Sequence, residues 1–195
     1  MLSAAIAVGD ADAVAEHADR AIRGGSAPAA VYEALIQSYL FLGFPRAIEA
    51  LFAAKPVLER HEARPPDAAA SDPAGWLHAG ESLCRRVYGK NFVKLMNTMR
   101  ALSPDLASWM ILEGYGKTLS RPALDAPVRE YCIVAMLATT RMWRQLCSHA
   151  IGAVNVGGTR ARVREAIERC APFAGDEVIR EALRVAGLDS TNARS

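Results

Sequence analysis

Apolar residues recur at three- and four-residue steps along most of the chain. The pattern holds over 13–23, 29–54, 81–102, 105–115, 126–140, 142–156 and 160–185. That period places one apolar stripe on each helix, and strand-like alternation with β-branched residues is nearly absent. An all-α fold is predicted. Two stretches interrupt the pattern. Residues 56–75 (PVLERHEARPPDAAASDPAG) are rich in Pro, Ala and Asp and read as a linker or exposed loop, and the polar residues 189–195 read as a disordered tail.

The pattern also repeats. Residues 15–54 align without a gap on residues 147–186 at an offset of 132. His17 falls on His149, Gly25 on Gly157, Glu33 on Glu165, Phe41 on Phe173, Gly43 on Gly175 and Glu49 on Glu181. A register that preserves His, Gly, Phe and Glu together predicts two copies of one helical unit. Residues 1–55 form the shorter copy and 76–188 the fuller one. A counterpart of Glu130 in the shorter copy would fall ahead of Met1, so that copy is expected to lack the carboxylate.

Length and composition narrow the class. At 195 residues a single compact unit buries roughly 70% of its unfolded surface and needs no staples. Hydrophobic residues are 51% and charged residues 23%, and the net charge of +2 is dispersed, which argues against a nucleic-acid surface. The start, MLSAAIAVGDADA, lacks a charged n-region and is not read as a signal peptide. No run approaches the ~20 apolar residues of a membrane span. The four cysteines are widely spaced within apolar helical patterns and are expected to be reduced thiols of a cytoplasmic protein.

Candidate chemistry centres on RMWRQLCSHAIGAVNVGG, residues 141–158. Cys147 and His149 are about 200° apart around a helix, so the thiol is expected to pack in the core and not to serve the imidazole. Met142, Gln145 and Leu146 share the face of His149, with Gly152 and Ala153 on the next turn. The preceding helix carries Glu130. Counted from a turn near Thr140–Arg141, Glu130 and His149 lie at similar heights on antiparallel helices. The carboxylate either orients the imidazole for proton transfer or is an ordinary exposed acid at a helix start. The four histidines form no metal-ligand spacing, and no phosphate or dinucleotide fingerprint is present, so no metal and no cofactor are expected.

Several motifs together resemble the carboxymuconolactone decarboxylase family, which includes the alkylhydroperoxidase D proteins. They are CRRVYG (84–89), YGKTLSRPALDAPVRE (115–130), the His149 helix with Gly157 eight residues on, CAPFAGDEVIREALRVA (170–186) and, in the first copy, YLFLGFPRAIEAL (39–51). The resemblance implies an alkylhydroperoxidase D-like helical fold and a His149/Glu130 proton relay. In the peroxidase branch two cysteines sit where this chain has Met142 and Gln145, so dithiol peroxide chemistry is disfavoured. Against the decarboxylase branch, Gln145 replaces an acid and Lys117 stands where a carboxylate is common.

The reading that follows is a cofactor-independent lyase or isomerase of a small carboxylated or lactone-type metabolite. His149 would donate the proton, Glu130 would orient it, and Gln145 would hydrogen-bond a substrate oxygen. Arg121 and Lys117 are candidate cations for the substrate, although Arg121 could equally pair with Asp125 or a helix end. Trp143, Tyr115 and Met142 are pocket walls or core. A family member retained only for binding or assembly is the alternative. Family members resemble obligate oligomers, hexameric for single-copy chains, so a two-copy chain implies a homotrimer binding a small-molecule substrate, with no nucleic acid or membrane partner.

Overall fold

The computed structural model describes residues 1–63 and 72–189. Every regular element among them is helical, in line with the period of the apolar positions. The N-terminal part comprises α1 (Leu2–Val8), α2 (Ala11–Arg23), α3 (Pro28–Ile36) and α4 (Tyr39–Arg60). The larger part begins with α5 (Pro73–Tyr88), a 3₁₀ turn (Gly89–Asn91), α6 (Phe92–Leu102) and α7 (Pro104–Trp109). It continues through a π-helix (Met110–Leu119), α8 (Ala126–Thr139), α9 (Trp143–Asn155), α10 (Arg160–Glu168), α11 (Ala171–Ala174) and α12 (Asp176–Val185). None of the described helices is long and apolar enough to cross a membrane.

Several helix boundaries fall at the offset of 132 read in the sequence. α2 and α9 start and stop at the same offset of 132 (Ala11 to Trp143, Arg23 to Asn155). So do α3 and α10 (Pro28 to Arg160, Ile36 to Glu168). Gly43 (φ 80, ψ 163) kinks α4 where Gly175 (φ 83, ψ 154) separates α11 from α12. Both sit where a side chain would be strained, which is why the aligned residue is glycine in each copy. α1 corresponds to the last turns of α8: each ends in a positive-φ residue, Gly9 (φ 79) and Arg141 (φ 60).

Two elements depart from expectation. The break predicted at 56–75 is shorter, because α4 runs on to Arg60 through Pro56 and α5 starts at Pro73. Proline removes one helical hydrogen bond, but Val57 and Leu58 bury against Val14, Leu35 and Ala54 and hold the extra turn. Residues 64–71 and the 190–195 tail lie outside the described residues. The segment expected as one helix over 29–54 is two, since the chain turns at Gln37–Ser38, where Ser38 Oγ donates to Leu35 O at 2.6 Å.

One apolar core lies under α5–α12 and a smaller one among α1–α4, and the copies interlock. Leu40, Phe41 and Leu42 pack on the larger core, while Phe173 packs on the smaller. An ionic joint reinforces the contact. Glu33 of α3, fully buried, receives Arg129 Nη2 of α8 at 2.8 Å and Arg121 Nε at 2.9 Å. Arg129 also donates to Gln37 Oε1 and to the carbonyl oxygens of Arg121 and Leu124. The guanidinium is thereby almost fully satisfied, which a buried charge requires.

α5 and the π-helix make the closest backbone approach. A Cβ on Gly116 would lie 2.1 Å from Trp76 O, and one on Gly80 would lie 2.1 Å from Ile111 O. Backbone carbonyls cannot swing aside as a side chain can. Gly116→Ala is therefore expected to push the two helices apart and cost about 3 kcal/mol, measurable by urea unfolding. A loss below about 1 kcal/mol would show that the contact is looser than described.

Candidate functional site

Two consecutive helices and a tight turn build the site. α8 closes at Thr140, Arg141 takes the left-handed conformation, and α9 opens at Trp143, so the two helices pack antiparallel. Glu130 and His149 then meet: Glu130 Oε2 lies 2.7 Å from His149 Nδ1. Glu130 is 3% and His149 5% exposed, so the exposed-acid alternative for Glu130 does not hold. An ionised carboxylate can only accept, so Nδ1–H donates and Nε2 remains for other chemistry.

The walls come from both copies. The Phe41 ring meets the His149 ring edge-on at 5.5 Å, and Tyr88 at the end of α5 stands 6.4 Å away. Tyr115 of the π-helix packs on Tyr88 at 6.3 Å. Gly152, one turn after His149, admits Val87 and the carboxylate: a Cβ there would meet Val87 Cγ1 at 2.7 Å and Glu130 Oε2 at 3.4 Å. Burial, aided by the nearby Glu130 charge, pushes the Cys84 thiol up to about 12. Burial likewise pushes Tyr88 up to about 12 and Tyr115 well above the usual phenol range. These groups stay neutral at ordinary pH, and Cys84 is not a thiolate nucleophile.

The remaining candidates are distributed unevenly. Tyr115 belongs to the wall, through Tyr88. Gln145, one turn before His149, is exposed. Met142 is 49% exposed at the start of α9. Trp143 is half-buried against the larger core. Lys117 is exposed, its ammonium 5.9 Å from the centre of the Trp76 ring. Arg121 is not a free cation for substrate, and its partner is neither Asp125 nor a helix end: the Nε–Nη2 edge of its guanidinium is taken by Glu33. Cys147 is a half-buried free thiol, and the sulfur beside the site is Cys84 of α5, which sequence reasoning did not place there.

Phe41, Tyr88 and Cys84 were also missed as wall residues, whereas Gly152 stood on the His149 face in the helical count. Phe41 stood in the repeat alignment opposite Phe173, but nothing in a repeat says that its side chain crosses to the other copy. The crossing is reciprocal, since His17 meets Phe173 edge-on at 5.9 Å. None of the four cysteines forms a disulfide, and no group of three or more acidic, His or Cys side chains among the described residues is arranged to hold a metal ion.

Comparison with known proteins bears on the same region. The chain is 31% identical over 139 residues to peroxisomal protein 2 of Schizosaccharomyces pombe, covering 69% of this chain and 63% of that protein. It is 28% identical over 109 residues to the nitrosuccinic acid decarboxylase npaB of Metarhizium robertsii, covering 54% of this chain and 75% of that protein. Residues 104–187, which include α8, α9, Glu130 and His149, match the carboxymuconolactone decarboxylase family. This part of the chain is a carboxymuconolactone decarboxylase family domain.

Proposed function

We propose that the chain is a cofactor-independent lyase or isomerase of a small carboxylated or lactone-type metabolite, with His149 as proton donor and Glu130 as the group that orients it. The observation that carries this reading is the buried 2.7 Å contact between His149 Nδ1 and Glu130 Oε2. An imidazole held by a carboxylate at Nδ1 presents Nε2 to a reacting carbon in one orientation, the arrangement general acid catalysis needs.

Decarboxylation fits this set. The bond to the carboxyl carbon breaks, carbon dioxide leaves, and the electron pair passes to a neighbouring nitro or carbonyl group as a nitronate or enolate. The imidazolium Nε2–H then protonates carbon, and the neutral imidazole recovers its proton from water. Nitrosuccinic acid, named for the Metarhizium relative, has a nitro group on a carbon that also bears a carboxyl group, as this route requires. The Phe41, Tyr88 and Tyr115 rings supply the apolar surroundings in which charge separation is costly and charge dispersal is favoured. The test is carbon dioxide release from nitrosuccinic acid and from 3-oxo diacids, run in D₂O to read deuterium at the protonated carbon. Absence of carbon dioxide release from these acids, together with absence of isomerisation of unsaturated carboxylated lactones run alongside, would defeat the reading.

The chain is further proposed to form a homotrimer. Phe44, Ile48 and Phe52 make an i, i+4, i+8 stripe on α4 that is 62%, 46% and 68% exposed. Contiguous apolar surface of this kind marks association. Light scattering is expected to give three times the chain mass, and a monomer would refute the assembly.

A further inference from the structure

The N-terminal helices and the larger part flank an open cavity of about 480 Å³, which is within the range of small-ligand sites. It lies on the other side of α8 from Glu130. Val128, Tyr131, Cys132 and Ala135 line it, and they form one helical stripe at i, i+3, i+4 and i+7. The start of α1 with α2 and α3 of the first copy, Leu124, and α10 of the second line the other sides.

His17 of α2 faces this cavity. It holds the place in the first copy that His149 holds in the second, and it is 8% exposed. His149 has a carboxylate at 2.7 Å, whereas neither ring nitrogen of His17 is hydrogen-bonded by any described residue. Burial, then the amino terminus and Arg20, hold its pKa below the usual range, so the ring is neutral and offers one donor and one acceptor. Its ring nitrogens are therefore open to the cavity, where a ligand can replace water as their partner.

The charges around the opening define that partner. Arg20, on the same face of α2 one turn from His17, and Arg162 and Arg169 of α10 all line the cavity. Arg20 pairs with Glu16, while Arg162 and Arg169 share one carboxylate, Glu165. Three guanidinium groups and the Met1 amino group thus face two carboxylates, which leaves two positive charges in excess. The walls between are apolar, from Val31, Ala34, Val128 and Ala135.

We propose that this cavity is a second binding site, for a small organic acid with an apolar body. Its carboxylate is taken by His17 and Arg20, and its hydrocarbon lies against Val31, Ala34, Val128 and Ala135. The site is separate from the His149 pair and does not depend on the chemistry proposed there.

Octanoate is a suitable probe for the full chain, with binding followed by calorimetry and by NMR of the histidine side chains. Saturable binding is expected, with the His17 resonances shifting and those of His149 unmoved, and with His149→Ala binding as wild type. His17→Phe, which keeps an aromatic ring against Phe173, and Arg20→Gln, at an exposed side chain, should each weaken binding tenfold or more. Circular dichroism confirms that the variants are folded, and Arg20→Gln alone suffices if His17→Phe is not. No saturable binding up to about 10 mM octanoate would overturn the proposal, as would shifts centred on His149 or undiminished affinity in a folded variant. Equal affinity for octanol would overturn the assignment to an anion.

Discussion

Replacing Glu33 by alanine should destabilise the chain by about 3–5 kcal/mol, the usual cost of leaving a buried charge without its partner. Arg129 is 2% exposed, and among the described residues its carboxylate partner is Glu33. The carbonyl oxygens of Arg121 and Leu124 and the Gln37 amide still accept from it, but none carries a compensating charge. Arg121, with its side chain 16% exposed, can turn toward water and contributes less. At roughly 2–4 °C per kcal/mol for a chain of this size, the melting temperature should fall by about 10 °C. Glu33→Gln, which keeps shape and acceptor but not charge, should fall between alanine and wild type. A urea midpoint for Glu33→Ala within about 0.5 kcal/mol of wild type would mean the joint is not closed as described.

On a substrate that the wild-type chain decarboxylates, His149→Ala should lower kcat by about 10²–10⁴, the contribution typical of a positioned proton donor. KM should change little, because the proton is delivered in the transition state and not in the bound complex. Glu130→Gln should lower kcat by less, since an amide can still hold Nδ1–H while no longer stabilising an imidazolium. If both variants turned over at the wild-type rate, proton delivery would come from elsewhere. Neither change should reproduce the stability loss of Glu33→Ala. Comparing unfolding curves therefore separates a chemical effect from a structural one.

What could be read in advance was local or repetitive. Helix period follows from the stripe on each segment, and the duplication from a single offset that preserved His, Gly, Phe and Glu. The Glu130–His149 contact follows from counting along one hairpin, because a short turn fixes which heights face each other. Side-chain contacts across longer stretches of chain were not legible. Arg121 offers a plausible substrate cation until Glu33, 88 residues earlier, is placed beside it. Met142 and Gln145 share a helical face with His149, yet a face is buried only as far as another element covers it, and Met142 and Gln145 are exposed while Leu146 beside them is buried. The span of the break after α4 was misjudged because proline weighs heavily in a local reading, whereas Val57 and Leu58 find burial only in the assembled copy.

The exchange of Phe41 and Phe173 bears on how the two halves can evolve. Each half's imidazole rests on a ring encoded by the other, so neither half drifts alone. A change to Phe41, in the half without the Glu130 carboxylate, would loosen the imidazole that has one. Selection on a reaction at His149 would thus preserve residues of a segment that performs none of the chemistry.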